Sequence, residues 1–487
     1  MIGADLDALR AVRIAGPGRE FLFDDGPVDV MIRDGLIVDI APTGAIALTG
    51  RILDAEGAWV LPGLWDNHVH TVQWALASDR KRLGDAASAR EAATLMASVA
   101  VGPDGRRIGT GFRDALWPDA PELAVLDAAT ADAPTYLINA DVHSVWLNSA
   151  ALAREGYRTP DGVLREEDAF EISRRLDSVD PDHADAAVRA AGAQAAARGI
   201  TGLVDFDMAW NAEAWARRIA AGFDAHRVEF AVYPMDLDRA IDAGLRTGDA
   251  LGRDGLATMG RLKVISDGSL GTRTAACSHP YPGEGHGVMT VEQPELIELL
   301  TRATGAGLEA SVHAIGDRAA ASALDAFALA GAAGTIEHAQ LLRHSDLSRM
   351  ARLGLVASVQ PQHALDDRDM AARLWADQTG IAYPLASLLR SGVELRLGSD
   401  APVSPLDPWA AIAAAVSRTD DAREPLHPEE RLSVDEAIAA SVRTAVRPGD
   451  RADLVVFDAD PRSADGEQLR RMPVHATLLG GRVTHES

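Results

Sequence analysis

Short apolar runs separated by turn residues occupy both ends of this chain, while its middle alternates apolar bursts with Ala/Leu/Arg-rich stretches of helical period. Near the start, Val28-Asp-Val-Met-Ile-Arg and Leu36-Ile-Val-Asp-Ile flank Asp34-Gly35. That dipeptide supplies the two positive φ angles of a tight primed hairpin turn. Further strands are predicted at Arg51-Ile-Leu-Asp and Trp59-Val-Leu-Pro, and the texture returns at Ala452-Asp-Leu-Val-Val-Phe-Asp and Ala476-Thr-Leu-Leu-Gly-Gly-Arg-Val-Thr. Neither end has enough strands for a stable sheet of its own. Residues 1–60 and 446–487 are therefore expected to combine into one small β domain, leaving 61–445 as a second unit.

In that middle unit, bursts stand at Tyr136-Leu-Ile-Asn, Gly202-Leu-Val-Asp-Phe, Glu229-Phe-Ala-Val-Tyr, Arg261-Leu-Lys-Val-Ile, Glu309-Ala-Ser-Val-His, Gly334-Thr-Ile-Glu-His, Leu355-Val-Ala-Ser-Val-Gln and Val393-Glu-Leu-Arg-Leu-Gly. Helical stretches over 185–198, 292–304 and 384–391 are followed by Gly199, Gly305 and Gly392. Glycine just past a helix predicts a left-handed cap, and an apolar burst directly after it is the αβ step of a parallel sheet buried on both faces. With the segment ending at His70 there are nine strand candidates, one more than an eight-stranded α/β barrel needs. The Tyr136 or the Glu229 segment is expected to lie outside the barrel. Residues 71–132, charged and Ala-rich without a clean strand, are expected to form an insertion near the barrel mouth.

Composition narrows the function. Among 487 residues, 47 Lys+Arg stand against 72 Asp+Glu, a net charge of −25, which argues against nucleic acid or an anionic membrane surface as partner. The single cysteine, Cys277, excludes an intrachain disulfide framework and a Cys-rich metal site. Asp5 and Asp7 stand where a secretory signal would carry positive charge. No apolar run reaches the ~18 residues of a membrane span. A cytoplasmic enzyme acting on a small molecule is expected.

Five bursts end in metal-capable side chains. In Gly63-Leu-Trp-Asp-Asn-His68-Val-His70 the two histidines are two apart, on the same side of a strand, so both imidazoles can reach one ion. Lys263 lies inside an apolar strand; His313, His338 and Asp400 each close a later burst. Barrel strand ends converge on one face, where barrel active sites lie. Singly, each residue has an ordinary structural role: a satisfied polar strand end, a snorkelling lysine, or a turn cap at Asp400 before Pro402. The ordered series of His-x-His, Lys, His, His and Asp on separate strands is what points to one site.

Together with its flanking residues, the series resembles the amidohydrolase superfamily, most closely the amidohydrolase-3 (YtcJ-like) branch that includes N-substituted formamide deformylase. The matching segments span nearly the whole chain, among them Val60-Leu-Pro-Gly-Leu-Trp-Asp-Asn-His-Val-His, His143-Ser-Val-Trp-Leu-Asn, Lys263-Val-Ile-Ser-Asp-Gly-Ser-Leu-Gly-Thr-Arg273, His313-Ala-Ile-Gly-Asp, Gly398-Ser-Asp-Ala-Pro and Pro448-Gly-Asp-Arg-Ala-Asp. The resemblance implies a (β/α)8 TIM-like barrel beside a β-sandwich built from both termini. It implies a metal-dependent hydrolase of non-peptide C–N bonds, in which His68, His70 and Asp400 hold one divalent metal ion, His313 and His338 a second, and Lys263 bridges as a carbamate; with Lys263 unmodified, a single ion on His68, His70 and Asp400 is the alternative. Zinc suits neutral imidazoles, and relatives imply a homodimer. Asp400 is assigned as general base/acid and His143 as a substrate- or intermediate-binding residue.

Softer expectations attach to other side chains. Trp146 and Asn148 are read as pocket lining or structure, Trp74 as an aromatic pocket wall or a cover of the barrel mouth, Asp267 as orienting Lys263 or a metal ligand, and Arg273 as binding a substrate carboxylate or pairing with an acid. Asp317 and Glu337 are expected to fix their neighbouring histidines, Cys277 to be inert, and His363 to form a pocket wall rather than a ligand. The residues speak against two other functions. An aminohydrolase of a heterocycle is disfavoured by Lys263 and by the lack of a His-x-x-Glu pair at the relevant strand. A non-catalytic binding protein is disfavoured by the complete ligand series.

Overall fold

The computed structural model describes residues 2–21, 26–77, 80–102, 104–252, 255–283 and 285–487. Eight parallel strands follow one another around a barrel in chain order: Leu64–Val69, Ile200–Asp205, Arg227–Val232, Ala257–Ile265, Ala310–Ala314, Gly334–His338, Val356–Val359 and Glu394–Leu397. Beyond its last residue the eighth strand meets the first, with Asp400 N–H donating to His68 O at 2.7 Å and His70 N–H to Ala401 O at 2.9 Å. Their apolar bursts are continuous because each strand packs on helices outside and on side chains within. Gly199 (φ +85°) and Gly392 (φ +84°) take the left-handed turn expected of them. The third expected cap does not hold: the helix Gln293–Gly305 runs through Gly305, and Gly307 (φ +85°) makes the reversal. Leu308 N–H then closes on Ala303 O at 2.9 Å, the wide ring of a Schellman end.

Strands from the two termini share one sheet, in the order Arg482–Glu486, Val474–Leu479, Leu454–Phe457, Trp59–Pro62, Ala8–Ile14, Val28–Arg33 and Leu36–Pro42, with Ile52–Asp54 also on Ala8–Ile14. Asp34 (φ 52°) and Gly35 (φ 77°) form the predicted hairpin turn. Leu9, Val12, Val30, Ile37, Val60, Leu454, Val456 and Leu478 make a core of their own. Arg227 of the third barrel strand donates twice to the Asp453 carboxylate, at 2.6 and 3.0 Å, fastening the barrel to this sheet. Among the described residues no helix is long and apolar enough to cross a membrane.

The surplus strand candidate is the Tyr136 segment; the Glu229 segment is the third barrel strand. Thr135–Asn139 belongs to a separate five-stranded sheet with Lys81–Arg82, Arg107–Phe112, Ser144–Leu147 and Val163–Arg165. It mimics a barrel strand because both of its faces are covered: Leu137 packs with Trp146 and Phe112, Tyr136 and Ile138 with Val145 and Leu164. The expectation that 71–132 lacks a clean strand is corrected by Arg107–Phe112. Its glycines dilute the β pattern, yet a Cβ at Gly109 would lie 2.6 Å from Met96 Sδ, so the gap is filled by a neighbour's side chain. The inserted sheet reaches the barrel mouth through Asp141, which accepts from Ser269 Oγ at 2.5 Å.

Candidate metal centre

At the C-terminal mouth of the barrel the strands bring His68, His70, Lys263, His313, His338 and Asp400 to one cavity, whose wall also includes His143 and His363. His68 and Lys263 lie within their strands, and His70 and Asp400 lie just past theirs. His338 (φ 70°) and Asp400 (φ 58°) adopt left-handed backbone, a strained conformation for non-glycine residues that clusters at functional sites. All six are buried.

Asp400 is the hub. Its Oδ1 lies 3.4 Å from both His68 Nε2 and His70 Nε2. A charge-assisted hydrogen bond would be shorter, near ~2.8 Å. Two ligand atoms at ~2.0 Å from a tetrahedral zinc ion stand about 3.3 Å apart, so the observed separations match an edge of that tetrahedron. One ligand atom from each of His68, His70 and Asp400 falls within 4.8 Å of the others, and the same holds for His338, His363 and Asp400. Neutral nitrogen and carboxylate donors, buried and drawn together, fit a divalent cation.

The tautomer of His68 is set from behind. Its Nδ1–H donates to Glu337 Oε2 at 2.7 Å, leaving the Nε2 lone pair facing the cavity. Thr335 Oγ1 donates to the other Glu337 oxygen. Although burial opposes it, the His68 bond and the Lys263 charge hold the Glu337 carboxyl at about 2. Burial drives His68, His313 and His338 below the ordinary imidazole range, which keeps their lone pairs free for a cation. Burial would raise Asp400, but the surrounding imidazoles hold it well below the usual carboxylate range. Lys263 Nζ sits 3.2 Å from His68 Nε2 and 4.2 Å from the Phe206 ring centroid, and its burial pulls the ammonium down to about 8.

His143 approaches from the inserted sheet, in the link between Thr135–Asn139 and Ser144–Leu147. Its Nδ1 pairs with Glu166 Oε2 at 2.9 Å, and its ring centroid is 5.6 Å from that of His313. Burial would lower this imidazole, but Glu166 outweighs it and pushes the group up to about 9. His143 thus presents an N–H-bearing cation to the cavity at neutral pH.

The structure decides among the softer expectations. Glu337 fixes His68 across the barrel, not its neighbour His338. Asp317 does not fix His313; it accepts from Ser278 N–H at 2.7 Å and Arg343 Nε–H at 3.1 Å. Asp267 accepts from the backbone of Ile315, Gly316 and Ala276, and lies 3.4 Å from His313 Nε2 rather than on Lys263. Trp146 is fully buried in the inserted sheet's core, and Asn148 caps the helix Ser149–Glu155. Neither Trp74 nor Arg273 lines the cavity. One contributor went unread: Glu166, which nothing in its local sequence marks; His363 stands in the cavity wall, as its place at the end of a burst suggests.

Cys277 is buried beside Tyr281, and burial pushes its thiol up to about 12. The folded protein should therefore resist a thiol reagent at pH 8, with stoichiometric labelling only after unfolding in denaturant; full labelling in native buffer would contradict this burial.

Known proteins share this architecture. The sequence profile of the amidohydrolase family matches residues 51–485. The putative amidohydrolase YtcJ of Bacillus subtilis is 27% identical over 484 residues, covering 89% of this chain and 90% of the relative. N-substituted formamide deformylase of Arthrobacter pascens is 25% identical over 504 residues, 91% of each chain. Among solved structures, an uncharacterized metal-dependent hydrolase from Pyrococcus horikoshii superposes with a TM-score of 0.78 at 24% identity, covering 94% of this chain and 99% of its own.

Proposed function

The chain belongs to the amidohydrolase family, and from that premise we propose that it is a metal-dependent hydrolase of a non-peptide C–N bond, in a substituted or cyclic amide. The observation that carries this reading is the buried Asp400 carboxylate, set 3.4 Å from two imidazoles in the cavity at the barrel mouth. His68, His70 and Asp400 would hold one divalent ion, zinc on the preference of neutral imidazoles, and His313, His338 and Lys263 would complete a second position. A bound ion supplies an acidified water and polarises the scissile carbonyl.

The chain's own groups then have separable tasks. Asp400 takes the proton of the attacking water on a carboxylate oxygen and delivers it to the leaving nitrogen. His143, held by Glu166, donates to the carbonyl oxygen as negative charge develops there. Phe170, Met208, Leu270 and Ile315 line the cavity and exclude water around an apolar acyl or amine substituent. The likeness to a deformylase of N-substituted formamides supports a small, substituted amide as substrate.

His143→Gln is expected to lower kcat by ~10²–10³-fold with little change in KM or metal content, the signature of a lost transition-state donor. Equal kcat in variant and parent would remove His143 from the mechanism. The class of substrate is tested by a panel of N-substituted formamides, cyclic amides, aminoheterocycles and dipeptides on metal-loaded enzyme. Turnover of the amides supports the reading. Turnover confined to dipeptides or to deamination would replace it.

A further inference from the structure

Asp400 faces two ways. While Oδ1 addresses His68 and His70, Oδ2 lies 3.9 Å from His363 Nε2, on the opposite side of the carboxylate. His363 stands in the short helix Pro361–Asp366 that follows the seventh barrel strand. Its backbone N–H is fixed to Gln360 O at 3.0 Å, and its ring runs within 13° of parallel to the His338 ring, with centroids 6.1 Å apart. The two imidazoles therefore flank one volume, bounded by Asp400 Oδ2.

His363 Nε2 is the unexplained atom in this arrangement. Its side chain is 7% exposed, and Nε2 has no hydrogen-bond partner among the described residues. A buried polar atom left unsatisfied costs about 1–3 kcal/mol, so an imidazole retained here with its nitrogen aimed at a carboxylate calls for an occupant between them. His313 is differently placed: its Nε2 already lies 3.4 Å from both Gly268 O and Asp267 Oδ1. The trio of His338, His363 and Asp400, each offering a ligand atom within 4.8 Å of the others, is the donor set of a three-ligand zinc position.

We infer that His363 is a metal ligand of the second cation position, taking with His338 and the outer Asp400 oxygen the role that the strand-end series, and with it the assignment above, gives to His313. The inference rests on the proposed metal dependence and goes beyond it in naming the ligand and its element, the helix after the seventh strand. A site so built would tie that helix to the floor of the cavity only when the second position is filled.

The test is metal binding itself. Chelator-stripped wild type, His363→Ala, His363→Gln and His313→Ala would each be titrated with Zn²⁺ by equilibrium dialysis, with metal counted by mass spectrometry. Visible spectra of Co²⁺-loaded samples would report ligand number, and circular dichroism would verify folding. The expected result is two ions in wild type and one in both His363 variants, with the first affinity unchanged and the second weakened at least ~100-fold. The spectral component of the second ion should vanish in both. Should either folded His363 variant bind two ions with wild-type affinities, His363 is not a ligand; loss of the second ion in His313→Ala alone would return the role to His313. One ion in wild type also overturns the second position, and none overturns the proposed metal dependence as well.

Discussion

Asp400→Asn should lower kcat/KM by at least ~10³-fold and strip the chain of tightly bound metal. The substitution keeps size and shape and removes only charge, so the backbone ties of Asp400 N–H to His68 O and of Val403 N–H to Asp400 O are unaffected. Two functions go together. The neutral amide is a poor ligand between His68 and His70, and it cannot accept and return a proton, a role worth ~10²–10⁴-fold by itself. The two losses can be separated. Measured with metal in large excess, a variant that regains its ion but not its turnover isolates the proton-transfer role. A metal ion at 100 times its dissociation constant stabilises the native state by about 2.7 kcal/mol. Zinc should therefore raise the melting temperature of the wild type and leave that of the variant unmoved. A folded variant that keeps its metal and activity within tenfold would end the reading of Asp400 as hub.

The barrel was legible because parallel strands covered on both faces leave continuous apolar bursts, and because ligands at their ends fall at constant positions relative to those bursts. The same rule explains why nine strand candidates stood for eight barrel strands. Tyr136-Leu-Ile-Asn carries the same signature as a barrel strand, since a sheet buried between two helical layers solves the same packing problem; its pairing with Arg107–Phe112 and with Ser144–Leu147 sets it apart. Gly305 and Gly307 differ in nothing a short window can read, and the helix simply continues one turn position further. Within the site, His68, His70 and Asp400 follow from alternation and strand ends. The partner of His68, by contrast, is Glu337, 269 residues away and beside another histidine. Proximity in sequence suggested the wrong imidazole, because adjacent residues of one strand point to opposite sides. His363 reads in the sequence as the end of its strand, whereas the structure carries it on the short helix Pro361–Asp366, whose direction no sequence pattern specifies.

Lys263 yields the second large effect. Unmodified, its amine works against the site: an ammonium 3.2 Å from His68 Nε2 donates into the lone pair that a cation requires, and its charge repels that cation. Carboxylation reverses both effects. The neutral amine attacks the carbon of carbon dioxide, an N–H proton passes to water, and the resulting carbamate presents anionic oxygens where a cation stood. Burial favours the step, because holding the ammonium at about 8 instead of 10.5 raises the neutral fraction near pH 7 by roughly 300-fold. The sign is that of a lowered lysine: the reactive amine is scarce well below pH 8 and accumulates as pH rises through it. Metal-stripped enzyme reconstituted with zinc in carbon-dioxide-free buffer should thus regain little activity. Added bicarbonate should restore it, faster at pH 8.5 than at pH 6.5. Lys263→Met keeps the contact with Phe206 but has no amine, so it should lose at least ~10²-fold in kcat/KM and show no response to bicarbonate. Native mass spectrometry should show one added carbon dioxide in the wild type and none in the variant. Full reactivation by zinc alone, with no mass increment, would leave Lys263 as an uncarboxylated neighbour of His68 and reduce the bridging role to packing.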